Sequence, residues 1–279
     1  MAKKRKKSKA RAKVRVADRG KAVQNEILRA IPDNEWRVLS ARLRYLDVPD
    51  HFVMHEPHAA TKYLYFPNSG LISLVIFMKD GRTVEAGIVG REGIVGLPAL
   101  MGFSKHSLQE IVQISGNAFR ISLSTFRKIA PKLPELHRLA DCYVTSLGLQ
   151  VAQTAACNRL HDLERRLARW LLMAQDRVKS HTLAITQDFL ATMMGTDRPS
   201  VTLAEGMLAK AGAIEHSRGV VRIVDRPRLE DSACECYGLI SHYAGGPGHQ
   251  GTRATAAQVR SPAGGTSAGA GVLASPPAG

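Results

Sequence analysis

The sequence predicts an α+β chain: a roll of short β-strands (jelly roll), one long helix, and a C-terminal helix-turn-helix followed by a β-hairpin wing. Three observations predict it. Short apolar runs broken by Pro, Gly and Asn fill residues 44–121, an uninterrupted helical period follows Pro134, and two short helical patterns around Gly195 lead into a Val-rich hairpin.

Length and charge set the frame. The chain has 279 residues and 44% apolar composition, enough for one large or two ordinary domains. Of the net charge of +15, residues 1–21 hold +10, from eleven Lys and Arg against Asp18 alone. Arg253 and Arg260 add two in residues 241–279, so residues 22–240 keep only +3. Binding to nucleic acid therefore has to be argued from a motif and not from bulk charge. The basic run 1–21 and the Gly/Ala/Ser/Pro-rich run 241–279 have little to bury and are expected to be disordered tails. The first either adds nonspecific DNA affinity or is only a solvated tail.

No stretch reaches the roughly 20 apolar residues of a membrane span, so no membrane partner and a bacterial cytoplasmic location are expected. Four cysteines, Cys142, Cys157, Cys234 and Cys236, are too few and too unevenly spaced for a disulfide framework, and reduced thiols are the expectation.

Gln24 to Leu43 reads as a helical lead-in around Pro32. Strand-like runs follow at Tyr63-Phe66, Leu71-Met78 and Thr83-Val89, separated by a turn at Pro67-Asn68-Ser69-Gly70 and a hairpin signal at Lys79-Asp80-Gly81. Residues 22–130 thus form the β-roll with its N-terminal helix. Over 131–160, Leu136, Leu139, Tyr143, Leu147, Gln150 or Val151, and Thr154 recur every three to four residues along about 37 Å of helix. That seam predicts a homodimer interface; a helix packed on its own β-roll is the alternative.

Residues 161–240 form the third unit. Asp162 can cap a helix carrying Leu163, Leu167, Trp170, Leu171 and Ala174, and Thr186 can cap a second one with Phe189, Leu190, Met193 and Met194 inward. Gly195 permits the sharp turn, and Pro199 falls in the first turn of the next helix, where its missing N–H is harmless. That helix buries Val201, Ala204, Leu208 and Ala211, leaving Arg198, Pro199, Thr202, Leu203 and Gly206 outward. A helix presenting Arg and hydroxyls at its N-terminus suits major-groove reading. Arg198 can bond guanine bidentately, Thr202 and Leu203 can meet a thymine methyl, and Thr186 and Ser200 can donate to phosphate; Gln187, Thr196 and Asp197 stand at the same helix starts. Arg218, at the tip of the hairpin 213–224, would contact backbone.

Residues 25–237 resemble the Crp/Fnr family of transcription regulators. Asp197-Arg-Pro-Ser-Val-Thr-Leu-Ala is similar to the family's recognition helix, with Arg198 at the guanine-reading position. Leu64-Tyr-Phe-Pro-Asn-Ser-Gly70, Asp80-Gly81 and Ile88-Val-Gly-Arg-Glu-Gly-Ile-Val-Gly96 are similar to its cNMP-binding-type β-roll. The resemblance implies double-stranded DNA and a second copy of the chain as partners, RNA polymerase as a further candidate, a pseudo-palindromic site, and allosteric control through the β-roll. It places an effector pocket at Gly93, Ile94, Val95, Gly96, His106 and Ser107. The family's nucleotide binders carry Glu where Ile94-Val95 stands and Arg where His106 precedes Ser107. Cyclic AMP is therefore not expected, no cofactor is assigned, and the effector is unknown. No cysteine precedes residue 142, so the iron-sulfur signature of the oxygen-sensing branch is absent too.

Weaker signals carry less. His51, His55 and His58 read as loop histidines, Cys234-x-Cys236 is a lone C-x-C, Cys142 and Cys157 read as small apolar residues of the seam, and no metal site is assigned. Gly90-Arg-Glu-Gly93 lacks the Lys-Ser/Thr of a phosphate loop, and no nucleophile or base stands in a catalytic context. A second functional reading stays open: a ligand- or protein-binding sensor module whose winged domain makes protein contacts.

Overall fold

The computed structural model describes residues 14–243. The expected tails over 1–13 and 244–279 lie outside them. Residues 14–21 and 241–243 depart from the expected disordered tails: β1 (Val16–Ala17) pairs with β2 (Lys21–Ala22), and residues 241–243 end the last helix. Two charged side chains hold this hairpin. Arg15 donates to the carbonyls of Leu28 at 2.7 Å and Ile31 at 2.5 Å, the open C-terminal end of a helix, and Asp18 accepts from the Tyr45 amide at 2.7 Å.

That helix is α1 (Glu26–Ala30), and α2 (Asp33–Ser40) follows it after Pro32. Strands β3 (Arg44–Val48), β4 (Val53–His55), β5 (Tyr63–Phe77) and β6 (Thr83–Val89) come next. A short helix α3 (Leu97–Leu100), strand β7 (Gln109–Ser122) and helix α4 (Leu123–Ile129) complete the unit. The antiparallel sheet runs β3-β7-β5-β6, with β4 also on β7. Lys79-Asp80-Gly81 makes the expected turn, with Gly81 at φ 84° between the paired Phe77 and Thr83.

The turn expected at Pro67–Gly70 is instead a bulged stretch of one 15-residue strand. Its pairing with β7 shifts register between Pro67 and Ser69 and again before Leu71. Asn68 explains why the chain does not turn back: Oδ1 accepts from the amides of Gln24 and Asn25, and Nδ2 donates to Ala22 O and to Asn117 Oδ1. The bulge is stitched to the N-terminal segment and to its neighbour strand.

Helix α5 (Pro134–Leu160) is the long helix. Then come α6 (Leu163–Val178), β8 (Thr182–Ala184), α7 (Gln187–Met194), α8 (Arg198–Lys210), β9 (Ile214–Ser217), β10 (Val220–Ile223), α9 (Arg226–Ser232) and α10 (Cys236–Tyr243). The hairpin β9-β10 gains β8 as a third strand that the sequence reading lacked. One apolar core fills the roll. A second joins Leu71, Val75, Ile88 and Ile114 of the sheet to Trp170, Leu171, Met193 and Leu208, so the C-terminal domain packs on the sheet.

The seam on α5 is corrected by its surroundings. Leu136, Tyr143, Gln150 and Thr154 are buried within the chain itself, and Leu139 and Leu147 pack half-buried against the core of the roll. Gln150 is tied down twice, donating to Ile88 O at 3.1 Å and accepting from Arg177 at 2.9 Å. Of the seam residues only Val151 is exposed, on a separate face with Val144, Gly148, Ala152 and Ala155. Four of the seam residues are thus taken up by intrachain packing, while Leu139, Leu147 and Val151 keep exposed surface.

Candidate functional site

Helices α7 and α8 meet at Gly195, whose φ of 64° closes α7 in the left-handed region that Gly adopts without strain. Each helix start is capped by its own side chain: Thr186 accepts from Phe189 N at 3.3 Å, and Asp197 accepts from Ser200 N at 2.8 Å. The second hydrogen bond holds the Asp197 carboxyl below its ordinary value.

Val201, Ala204 and Leu208 turn inward as the sequence reading placed them, whereas Ala211 caps the helix end and is exposed. Outward on α8 stand Arg198, Pro199, Thr202, Leu203 and Gly206, with Leu203 68% exposed. The Arg198 guanidinium reaches Asp188 at 3.4 Å across the surface, an exposed pair that holds it only loosely. Gln187 and Thr196 are half-buried beside it, and Arg218 is exposed between β9 and β10, next to Gly219 at φ 76°.

One residue of this site was missed. Glu205 is 1% exposed although it lies on α8. Its carboxylate accepts from Gln187 Nε2 at 2.6 Å and lies 3.8 Å from His216 Nδ1, linking the two helices and facing the wing. A buried acid in a recognition-type helix leaves no periodic signal, because its polarity reads as outward.

The expected effector positions are brought together, but as a closed cluster. Ile94 and Val95 are core residues, Gly93 abuts the Tyr143 ring, and Ser107 is exposed. Gly96, at φ 86°, donates its amide to both oxygens of Glu110 at 3.1 Å. The same carboxylate pairs with His55 Nδ1 and lies 3.8 Å from His106 Nε2. A loop amide already holding a carboxylate is a poor seat for a phosphate, because the two anions would compete for one donor and repel each other. His55, read as a loop histidine, is therefore a buried member of this cluster; His51 and His58 are exposed.

The C-terminal domain is also wired to the sheet. Trp170 donates to Glu85, Arg177 donates to Glu92 at 2.8 Å, and Arg166 donates to Met194 O at 2.6 Å, tying α6 to the end of α7. Among the described residues no helix is long and apolar enough to cross a membrane.

Residues 165–232 match the family model of the Crp-like helix-turn-helix domain. Among solved structures the chain is similar to FixK2 from Bradyrhizobium japonicum, with TM-score 0.59 and 15% identity over 69% of this chain and 98% of that one. It is similar to a putative Crp/Fnr regulator from Eubacterium rectale, with TM-score 0.56 and 17% identity over 74% and 96%. A CRP/FNR-family regulator from Thermus thermophilus gives TM-score 0.53 and 20% identity over 68% and 98%. No curated protein matches the chain in sequence. At these identities the solved structures speak for the fold and the matched model for the domain: the chain carries a Crp-like helix-turn-helix domain on the fold of the Crp/Fnr transcriptional regulators.

Proposed function

We propose that the chain is a cytoplasmic transcription regulator that binds a pseudo-palindromic DNA site as a homodimer, with α8 in the major groove. One observation carries the reading: Arg198, Thr202, Leu203 and Gly206 stand outward on a capped helix, left uncovered by the described residues, and the wing carries Arg218 exposed at its tip. Arg198 would read guanine, Thr202 and Leu203 would meet a thymine methyl, and Thr186, Ser200 and Arg218 would hold phosphates. Two copies of α8 about 34 Å apart would enter successive major grooves. A complex bound at a promoter would also meet RNA polymerase.

Control through the β-roll would pass along β6 and the turn after it, where Glu85 and Glu92 accept from Trp170 and Arg177 of α6 and Ile88 O accepts from Gln150 of α5. The effector remains unassigned, and the Glu110 carboxylate at Gly96 argues against a cyclic nucleotide.

Selection of bound sequences from a random DNA pool, at two salt concentrations and with Arg198→Ala in parallel, tests the proposal. A two-fold symmetric motif that loses one base preference in the variant, at a cost of about 1–3 kcal/mol, is the expected result. Sequence-blind binding that collapses with salt would overturn it and leave a winged domain used for protein contacts.

A further inference from the structure

The fold brings together four residues that the sequence scatters. Cys157 is on the last turns of α5, His161 follows its end, and Cys234 and Cys236 flank the start of α10. One ligand-type atom from each lies within 4.8 Å of every other. The Cys157 and Cys234 sulfurs are 3.5 Å apart, and Cys236 Sγ is 3.6 Å from His161 Nδ1. All three cysteines are buried.

We infer that Cys157, His161, Cys234 and Cys236 form a mononuclear site for a soft divalent cation, with Zn(II) the best fit. A tetrahedral centre with metal–sulfur bonds of about 2.3 Å spaces its sulfurs about 3.8 Å apart and its sulfur and nitrogen slightly less, close to the spacings already present. Three thiolates and one imidazole are a structural zinc set, and the compact spacing admits one ion and no bridged iron-sulfur cluster.

The surroundings are built for it. His161 turns its other nitrogen, Nε2, to Glu235 Oε2 at 3.3 Å, the arrangement that orients a ligating imidazole and raises its basicity. Gln153 Nε2 donates to Cys236 Sγ at 3.0 Å. Arg169 is 2% exposed, donates to Thr154 Oγ1 and Met173 Sδ, and has an Nε with no partner among the described residues. A buried guanidinium so poorly paired is costly alone. Zn(II) with three thiolates carries a net charge of −1, which Arg169 and the neighbouring Arg166 would balance.

Zn(II) binding forms three Zn–S bonds and one Zn–N bond, and the thiol protons pass to solvent with no change of oxidation state.

The site also joins three elements. His161 is the C-cap of α5, Asp162 is the N-cap of α6, and Cys234 and Cys236 lie beyond α9. A bound ion would therefore fix the angle at which the C-terminal domain leaves α5. That consequence for DNA rests on the proposed function; the ion site does not.

The test uses the full chain, reduced and freed of metal, titrated with Zn(II) against a chromophoric chelator and with Co(II) read by its thiolate charge-transfer and d–d bands. One equivalent with tetrahedral cobalt bands is expected for the native chain and for Cys142→Ser, whose sulfur lies outside the cluster. Cys236→Ser and Cys157→Ser should each weaken Zn(II) by more than tenfold. Glu235→Gln, at an exposed side chain, should weaken it by roughly tenfold while keeping the cobalt bands, and it carries the test if a cysteine variant fails to fold. No stoichiometric uptake by the reduced native chain overturns the inference. Unchanged affinity in the cysteine variants overturns it equally. Neither readout involves DNA, so failure here is separable from failure of the regulator reading.

Discussion

Trp170 of α6 donates its indole N–H to Glu85 of β6 at 2.7 Å, so the C-terminal domain is bonded to a carboxyl group inside the sheet. Ser73 donates to the other oxygen at 2.5 Å. Burial still dominates these two bonds and the fields of Arg169 and Arg177, and it pushes Glu85 up to about 7.

The sign of the resulting pH dependence follows from proton counting. The unfolded chain releases the Glu85 proton near 4.5 and the folded chain near 7, so between those values the folded state holds more protons. Stability then falls as pH rises through that window, by about 3 kcal/mol at most from this group. Glu85→Gln, neutral throughout, should flatten the slope and be more stable than the native chain at pH 8. Urea midpoints at pH 5 and pH 8 check this; an equal slope in the variant would remove Glu85 as its source.

Gly93 and Tyr143 make a second, opposite pair of predictions. A Cβ at Gly93 would lie 2.2 Å from the Tyr143 hydroxyl and 2.3 Å from Cζ, inside a core that cannot yield. Gly93→Ala should cost about 1–3 kcal/mol. The Tyr143 hydroxyl is buried with no partner among the described residues, so Tyr143→Phe should change stability by less than about 0.5 kcal/mol or raise it. Thermal melts of the two variants separate crowding from polarity.

Glu205 predicts a DNA effect without a DNA contact. Its carboxylate holds Gln187 at the start of α7 from within α8. Glu205→Ala should cost about 1–3 kcal/mol of stability and weaken cognate and altered DNA sites by the same factor, because it loosens the helix pair without touching a base. A change of base preference in binding assays would instead make Glu205 a reading residue.

What the sequence revealed, and what it hid, divides by range. The turn at Gly195, the caps Asp162 and Thr186, Pro199 in the first turn and Gly81 in its hairpin are local backbone requirements, and a local reading finds them. The period of α5 identified its apolar face but carried no information about what covers that face. Asn68 turned an expected β-turn into a bulge through bonds to residues more than forty positions away, and Cys157 meets Cys234 across 77 positions. Basic composition concealed the β1-β2 hairpin because Arg15 and Asp18 are fixed by carbonyls and amides that only the fold supplies.

The correction to α5 gives the sharpest test of dimerisation. If two copies join through this helix, the surface free to do so is Val144, Gly148, Val151, Ala152 and Ala155, since Gln150 and Thr154 are occupied inside. Ala152→Arg places a long cation at the centre of that face while leaving the intrachain core untouched. It should shift the sedimenting species from dimer to monomer and weaken binding to a symmetric site, with far-UV circular dichroism unchanged. Gln150→Ala should do the reverse: removing its bonds to Ile88 and Arg177 costs about 1–3 kcal/mol of chain stability and leaves the dimer interface chemically intact. A dimer that survives Ala152→Arg but dissociates in Gln150→Ala without unfolding would return the interface to the face the period first suggested.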